Sequence, residues 1–588
     1  MKFLFVLTHC VFLVFLYFGN NTQAQAQKKN FPNILLILTD DQGWGDLSVH
    51  QNPYLETPVL DKLAKDGIQL TNFYVSPLCA PTRASLLTGR DHLRTGVISV
   101  SNGLEVMSSE ETTLAEICKE NGYQTGCFGK WHNGEHYPNN PNGQGFDEFL
   151  GFCAGHLTNY FDSELEHNGQ TVKTKGFVTD IITEAAIQFI EKNQKQPFLC
   201  YVPYNVPHSP FQVADKYFNK YKAKGLDDEL SSVYALCENM DDNVGRLLNK
   251  LDELGLKENT IVIFMSDNGP NGHRYNGVLK GIKGQVDEGG VKVPCFIQYP
   301  GKIKPGQKIE SILAHIDIVP TLVDLCGLKV KAHLLWDGIS VSEKLLKGDK
   351  KTVSRKIYSH VAFLDKTLKD FPGAVRTEKY RLVVKEKDNP ELYDMHIDPS
   401  QKNNIANRNS KITRELFQDY QNWFKEVTKN LSFERRIPIA SDRTELAAHE
   451  ALFSGDLKYK EGHGWAHDWL VNWISNKDSI FWKIENKEDG KYEVFLKYTC
   501  PENQTGSEIG VSIGSERINQ QIIEGFDPGL LPSPDRVQRK EVYEKPWVTL
   551  KIGEINIPAG HNKITVSAIS IKNEEVAEFK SLILKRIN

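Results

Sequence analysis

Two acidic sequences follow apolar runs that are typical of strands buried on both faces. One comes after residues 33–38 (NILLIL) and the other after residues 260–265 (TIVIFM). The side chains concerned are Asp40, Asp41, Asp267 and Asn268. Ligands of parallel α/β sheets bind at the carboxyl ends of the strands, so we expect these four side chains to meet at one edge. Hard oxygen ligands suit Ca²⁺ or Mg²⁺ better than zinc. Asp and Asn are also common in caps and turns, but two such pairs at two strand ends favour a metal site.

A second group of side chains would bring positive charge and acid–base chemistry to the same edge. Its members are Arg83, Lys130, His132, His208 and Lys283. A single histidine is usually a packed structural residue and a single lysine is usually solvated. Here the two histidines and two lysines lie in segments marked by glycine or proline, beside the predicted metal ligands. A divalent cation with Arg83, Lys130 and Lys283 suits a compact oxyanion such as sulfate or phosphate.

The candidate nucleophile is Cys79, within residues 77–90 (PLCAPTRASLLTGR). Pro81 is typical of the first turn of a helix, so Cys79 precedes a predicted helix start. A helix N-terminus stabilises negative charge at that position. A buried cysteine in a loop is the alternative interpretation.

The C-x-P-T-R string that begins at Cys79, with its Leu-Thr-Gly-Arg close, resembles the signature of the type I, formylglycine-dependent sulfatases. The other matching segments are Thr39-Asp40-Asp41, Gly129-Lys130-Trp131-His132, Asp267-Asn268-Gly269, Lys283 with Glu288-Gly289-Gly290, residues 315–321 (HIDIVPT), and Leu392-Tyr393-Asp394 with Asp398-Pro399. The resemblance covers roughly residues 30–410, and Thr82 stands where serine is commoner. It implies an alkaline phosphatase-like α/β fold with a mostly parallel central sheet.

The resemblance also implies two non-standard groups. A formylglycine-generating maturation enzyme would oxidise Cys79 to formylglycine (3-oxoalanine), an aldehyde that hydrates to a geminal diol. One Ca²⁺ would be held by the modified Cys79 and by Asp40, Asp41, Asp267 and Asn268.

Roles for the remaining motif residues follow from the same resemblance. Arg83 and Lys130 would orient the diol, one hydroxyl of which attacks sulfur to give a covalent sulfo-enzyme. Lys283 would hold the sulfate oxygens. His208 would protonate the leaving alcohol, and His132 would deprotonate the second hydroxyl so that sulfate leaves.

The elements that position these residues follow from the apolar patterning. Strands alternate with helices up to about residue 345, which predicts a parallel α/β domain over residues 27–345. Further buried strands are predicted at residues 198–204 and 293–299, and helices at residues 57–67 and 112–121. Residues 346–435 predict a small α+β subdomain. Short alternating strands over residues 436–588 predict an appended β-sandwich, called here the C-terminal β region.

The start of the chain indicates export. An apolar run over residues 3–18 and Ala24-Gln25-Ala26 predict a signal peptide over residues 1–26 and a periplasmic or secreted protein. A membrane anchor is the alternative, but the run is short for a span, so we expect no stable membrane insertion. Nine cysteines follow Cys10, an odd number for an oxidising compartment. Conversion of Cys79 to formylglycine would leave eight thiols.

The composition of the chain limits the classes of partner that it can bind. The 588 residues carry 70 basic and 75 acidic side chains, a net charge of −5. This balance gives no global attraction to nucleic acid. A mean hydropathy of −0.41 excludes a polytopic membrane protein. Among the substrates that the family resemblance implies, the predicted signal peptide and the C-terminal β region favour a sulfated oligo- or polysaccharide, such as the algal polysaccharides ulvan or carrageenan.

Substrate-recognising residues and alternative functions stay open at this level. Candidate specificity residues are His156, His273 and Arg274. Four tryptophans of the C-terminal β region are candidates for stacking on sugar rings, although core packing is the favoured interpretation: Trp465, Trp469, Trp473 and Trp482. One alternative function is a phosphate or phosphonate ester hydrolase of the same superfamily, which the cysteine motif disfavours. Another is a catalytically silent carbohydrate-binding protein, which the complete motif set disfavours.

Overall fold

The computed structural model describes residues 31–348, 354–363 and 367–587. The predicted signal peptide lies outside the described residues. Among the described helices, none combines the length and the apolar character that a membrane crossing requires.

A ten-stranded sheet forms the centre of the N-terminal part of the chain. From edge to edge its strands are Gln307–Ile309, Ile68–Leu70, Cys295–Gln298, Thr260–Ser266, Asn33–Thr39, Phe198–Pro203, Gln124–Lys130, Glu148–Phe152, Glu164–His167 and Gln170–Lys173. The four strands from Thr260–Ser266 to Gln124–Lys130 run parallel to one another. Cys295–Gln298 runs antiparallel to its neighbour Thr260–Ser266. The predicted α/β class with a mostly parallel sheet is confirmed, although Cys295–Gln298 and Glu164–His167 each run antiparallel to both of their neighbours.

Both faces of the central sheet are covered. Along the strand Asn33–Thr39, Leu36 packs into the core on one face and Leu35 into the core on the other. Both side chains are fully buried. This explains the continuous apolar run, because a strand buried on both faces has no polar side to alternate with.

The helices of the described chain include those predicted from capping residues. They are Pro58–Asp66, Cys79–Thr88, Leu114–Glu120, Val178–Asn193, Asp215–Lys222, Asp228–Glu253, Glu288–Val291, Ile318–Cys326, Ser342–Lys347 and Ser410–Val427. Thr113 and Glu116 form a reciprocal capping box at the start of Leu114–Glu120.

Two smaller sheets complete the N-terminal 430 residues. Phe73–Tyr74 pairs with Leu313–Ala314. A four-stranded antiparallel sheet is built from Ile357–His360, Gly373–Arg376, Tyr380–Val384 and Pro390–Asp394. The helix Ser410–Val427 packs on it, which gives an α+β arrangement where one is predicted. The domain boundaries themselves stay predictions.

The C-terminal β region contains two six-stranded sheets around one core. The strands of the first are Ile437–Pro438, Leu452–Ser454, Ser479–Asn486, Glu508–Ile513, Glu516–Gln521 and Gly560–Ser570. Those of the second are Arg443–Ala447, Lys458–Tyr459, Leu470–Val471, Gly490–Thr499, Val548–Ile557 and Glu578–Arg586. Trp469, Trp473 and Trp482 are buried in the shared core. These three rings pack the core, as the favoured interpretation predicts, and none is available to stack on a sugar.

The state of the cysteines corrects the inference drawn above from their odd number. All nine in the described residues are buried and free, and no disulfide joins any two of them. A buried cysteine behaves as a small apolar residue, and that is its role at most of these positions. The odd count therefore carries no information about Cys79.

The C-terminal β region contacts the α/β part through partly buried polar pairs. His136 Nε2 lies 2.9 Å and 3.0 Å from the two carboxylate oxygens of Glu450. His449 Nε2 lies 3.3 Å from Glu135 Oε1. These histidine–carboxylate pairs lie just after the Gly129-Lys130-Trp131-His132 segment, so they anchor the region close to a predicted site residue.

Replacing His136 with glutamine is expected to remove a pH-dependent part of the stability. Burial lowers the pKa of His136, but Glu450 outweighs burial and raises the pKa to about 8. A pKa raised in the folded state stabilises the protein fully below about pH 6.5, and the effect is lost as the pH rises through about 8. The rise corresponds to about 2 kcal/mol of unfolding free energy at low pH.

Denaturant unfolding between about pH 5.5 and about pH 9 measures this effect. The wild-type protein should exceed the His136→Gln variant in stability at low pH, and the difference should shrink as the pH rises. The matched control is His561→Gln, since His561 forms an exposed pair with Glu485 at 3.7 Å that contributes little. A stability difference between wild type and His136→Gln that is independent of pH would contradict the prediction.

Candidate active site

The two acidic sequences lie side by side because their strands are in register. Thr39 pairs with Ser266 across the parallel strands, so the residues that follow leave the same edge of the sheet. The amide of Asp41 donates to Asp267 Oδ1 at 3.2 Å. Asp41 adopts a left-handed backbone conformation with φ of 66°. Such a conformation is uncommon for a residue other than glycine and marks a tightly determined turn.

This edge holds a dense set of buried oxygen atoms. Asp40, Asp41, Asp267 and Asn268 are fully buried. One oxygen of Asp40 and the side-chain oxygen of Asn268 make no hydrogen bond within the described residues. One potential ligand atom from each of Asp40, Cys79 and Asp267 lies within 4.8 Å of the others. Buried polar atoms are normally paired, so unpaired oxygens among clustered carboxylates fit a bound divalent cation.

Two fully buried cations stand behind the carboxylates. Lys130, the last residue of its strand, places Nζ 2.6 Å from Asp40 Oδ2. Arg83 donates to Asp267 Oδ2 at 3.2 Å and 2.7 Å and to the carbonyl of Lys130 at 2.8 Å. Gly129 has φ of +132°, and a Cβ there would lie 2.1 Å from the Pro203 carbonyl. Only glycine therefore lets the strand approach closely enough to bring Lys130 to the site.

Lys283 and His208 occupy the more open side. Lys283 Nζ lies 2.6 Å from Asp41 Oδ1, and His208 Nε2 lies 3.7 Å from Asp41 Oδ2. His208 Nδ1 lies 2.7 Å from the carbonyl of Ser209, which leaves Nε2 directed to the site. The side chains of Lys283 and His208 are 16% and 11% exposed, whereas Arg83 and Lys130 are at 0%. A substrate would therefore meet Lys283 and His208 at the entrance.

Cys79 is the first residue of the helix Cys79–Thr88. Its Sγ lies 3.4 Å from His132 Nδ1, and His132 Nε2 lies 2.9 Å from the carbonyl of Val100. Since a carbonyl only accepts, Nε2 carries the proton and Nδ1 presents a lone pair to position 79. Burial, aided by the charge of Lys130, holds the pKa of His132 well below its usual range. His132 is therefore a neutral imidazole suited to accepting a proton.

The pKa of each acidic group in the site depends on the charged groups around it. Burial raises the pKa of Asp40, but Lys130 and His208 outweigh it and hold the pKa well below its usual range. For Asp267, burial and the charge of Asp40 raise the pKa to about 7 despite Arg83. The carboxyl groups of Asp40, Asp41 and Asp267 thus face the basic side chains of Arg83, Lys130 and Lys283. A divalent cation would keep the carboxylates ionised and leave positive charge for an anionic substrate.

Comparison with known proteins decides the family. Residues 32–328 match the family described as Sulfatase, and residues 283–429 match the C-terminal part of N-sulphoglucosamine sulphohydrolase. The chain belongs to the sulfatase family. Both matches end before the C-terminal β region.

Named relatives of this sulfatase agree with that assignment. The chain is 28% identical over 489 residues to the uncharacterized sulfatase YdeN of Escherichia coli K12, covering 68% of this chain and 86% of YdeN. It is 32% identical over 414 residues to the ulvan-active sulfatase of Formosa agariphila, covering 66% and 79% of the two chains. The crystal structure of Ps i-CgsB in complex with k-i-k-neocarrahexaose superposes with a TM-score of 0.64 at 28% identity, covering 69% and 95%. This sulfatase is a sulfuric ester hydrolase with the alkaline phosphatase-like fold.

The structure of the sulfatase brings the predicted catalytic and metal-binding residues together. The three candidate specificity residues, in contrast, lie in three different environments. His156 is 6% exposed, and its ring stacks on that of His208 with centroids 6.5 Å apart. His273 is exposed in the loop after Asn268. Arg274 forms a buried pair with Asp46 at 2.7 Å and donates to the carbonyl of Asp41. Arg274 therefore supports the loop of predicted metal ligands, and we withdraw it as a specificity residue.

Sequence reasoning missed the contribution of the C-terminal β region. His467 Nε2 lies 2.8 Å from the carbonyl of His156. Glu541 accepts a hydrogen bond from the hydroxyl of Ser209, next to His208. These residues are more than 300 positions apart along the chain from their partners. No motif or periodicity in the sequence signals such a contact.

Proposed function

We propose that this sulfatase removes sulfate from a sulfated carbohydrate, with ulvan or a related algal polysaccharide or its oligosaccharides as the substrate. The observation that carries the proposal is the convergence of Cys79, Lys283 and His208 on one edge of the sheet, around buried carboxylates. The ulvan activity named for one relative and the oligosaccharide complex named for Ps i-CgsB support the carbohydrate class.

Calcium is the metal that the donor set fits best. The residues that would hold it are Asp40, Asp41, Asp267 and Asn268, with the modified Cys79. All offer oxygen, and none of the four is an imidazole or a thiolate, which favours calcium over zinc. When bound, the ion supplies positive charge beside the sulfate group.

The nucleophile requires modification of Cys79. Burial raises the pKa of the Cys79 thiol despite the charges of Lys130 and Lys283, so the unmodified side chain is a protonated thiol and a poor nucleophile. Formylglycine, made from Cys79 by a maturation enzyme, would supply two hydroxyl groups as its hydrate, one of them the nucleophile. His132 Nδ1 lies within reach of position 79, where it would deprotonate the second hydroxyl so that sulfate leaves.

The remaining residues bind the sulfate and release the alcohol. Lys130 and Arg83 lie behind position 79, where they orient the nucleophile and offset negative charge. Lys283 at the entrance binds the sulfate oxygens. His208, in its doubly protonated form, donates a proton from Nε2 to the leaving sugar oxygen, while its Nδ1–H stays bound to the carbonyl of Ser209.

We also propose that the enzyme acts outside the cytosol. The apolar N-terminal sequence and the Ala24-Gln25-Ala26 site support export. Maturation of Cys79 would accompany that export.

A panel of desulfated and sulfated oligosaccharides tests the substrate. Ulvan- and carrageenan-derived oligosaccharides would be incubated with the calcium-loaded enzyme purified from its native host, and released sulfate would be measured. We expect sulfate release from at least one of them, with ulvan oligosaccharides preferred. Faster hydrolysis of phosphate monoesters than of sulfated sugars would favour the phosphoester alternative instead.

Replacing Lys283 with alanine is expected to lower kcat/KM for the best substrate by about 100-fold to 1,000-fold, because an entrance cation is lost. Lys280→Ala is the matched control, since Lys280 lies in the same loop but pairs with Tyr393 and Glu391. Initial rates at varied substrate concentration measure both variants. Equal loss in the two would show that the loop, and not the Lys283 charge, is responsible.

A further inference from the structure

Three histidine rings run in sequence from the C-terminal β region to the entrance of the active site. His467 meets His156 edge to face, with ring centroids 5.4 Å apart and planes at 77°. His156 in turn stacks on His208, with centroids 6.5 Å apart and planes at 7°. Only the ring of His156 thus separates His467, from the C-terminal β region, from His208, the proposed proton donor.

The position of His467 is tightly determined. Its Nε2 donates to the carbonyl of His156 at 2.8 Å, and its own carbonyl accepts from Lys580 Nζ at 2.7 Å. Lys580 is held by Glu544 at 3.2 Å. His467 has φ of 68°, and such left-handed conformations persist in non-glycine residues when the surroundings enforce them. These contacts fix the His467 side of the His467–His156 contact.

His156 is buried with an unsatisfied nitrogen. It is 6% exposed, and its Nε2 makes no hydrogen bond within the described residues. Burial holds the pKa of His156 well below its usual range, with His467 and His208 adding to the effect. His156 is therefore a neutral ring packed beside His208, and its Nε2 is buried with no hydrogen-bond partner among the described residues.

The loop that carries His208 is also held by the C-terminal β region. Glu541 accepts from the hydroxyl of Ser209. Gln212 Nε2 donates to Asp535 Oδ1 at 2.6 Å. Two independent contacts, one through the ring of His156 and one through this loop, therefore connect the region to His208.

We propose that His467 is a positioning residue, which holds His156 and through it the His208 ring in the orientation for proton donation. The C-terminal β region is then part of the active site, and not a separate module that only captures polysaccharide. This inference rests on the proposed function, in which His208 protonates the leaving sugar oxygen.

Replacing His467 with alanine tests the inference on the full-length, calcium-loaded enzyme with the best oligosaccharide of the panel. We expect kcat to fall by about 10-fold to 100-fold, part of what a general acid contributes, while KM changes by less than about 3-fold. His467→Gln keeps a donor that reaches the His156 carbonyl and should restore much of kcat. His463→Ala, in the same loop but exposed, is the matched control and should leave kcat unchanged.

A double-mutant cycle with His156→Ala shows whether the effect passes through His156. The His467→Ala/His156→Ala double variant should be no slower than His156→Ala alone, since the two residues act as a unit. Additive losses, an unchanged kcat in His467→Ala, or a loss that His467→Gln fails to restore would overturn the inference while the wild type stays active. A wild-type enzyme inactive on every sulfated sugar would overturn the proposed function, and the inference with it.

Discussion

Replacing Cys79 with alanine should reduce the rate of sulfate release by at least about 1,000-fold, the scale seen when a covalent nucleophile is removed. Alanine has no group that can become an aldehyde, so no hydroxyl nucleophile can form at the helix start. The residues around position 79 would stay in place, because the Arg83–Asp267 and Lys130–Asp40 pairs do not involve the sulfur. Released sulfate from the panel oligosaccharides measures the loss.

The control for Cys79→Ala is another buried cysteine. Cys118 lies on the buried face of the helix Leu114–Glu120, in the hydrophobic core. Cys118→Ala should lower the stability of the protein slightly but keep its activity. Peptide mass spectrometry of protein from the native host supplies the second measurement, since formylglycine makes the Cys79 peptide about 18 Da lighter. Full activity in Cys79→Ala, or active enzyme with an unmodified thiol, would contradict the proposed chemistry.

Much of the site could be predicted from sequence because its residues sit at the ends of strongly patterned strands. The runs before Asp40 and Asp267 are apolar because both faces of those strands are buried. Their register, Thr39 beside Ser266, then brings the acidic residues together. The local sequence pattern is therefore sufficient to predict a site residue when that residue directly follows a strand of the central sheet.

Contacts between distant parts of the chain could not be predicted in this way. Arg274 is a candidate specificity residue on sequence alone, but the turn of its loop places it against Asp46 instead. The β strands of the C-terminal region follow their alternation, yet their pattern does not reveal that His467 reaches His156. Such packing depends on tertiary geometry, which residue spacing does not encode.

Replacing Asp40 with asparagine is expected to lower the affinity for Ca²⁺ by at least about 10-fold, because calcium affinity depends on the number of charged oxygen ligands. The substitution also leaves Lys130 buried without its carboxylate partner at 2.6 Å. Loss of one partner of a buried pair costs about 3–5 kcal/mol of stability. Calorimetric titration of Ca²⁺ into the metal-free protein measures the first effect, and denaturant unfolding measures the second.

Asp46→Asn separates the loss of calcium binding from the loss of a buried ion pair. Asp46 is fully buried, follows the same strand as Asp40, and pairs with Arg274 at 2.7 Å, but it is not among the proposed ligands. Both variants should unfold more easily than wild type. Calcium stabilises a protein that binds it in the folded state, so its addition should raise the stability of Asp46→Asn and of wild type, and that of Asp40→Asn far less. An equal calcium effect in all three proteins would show that the ion binds elsewhere than at this cluster.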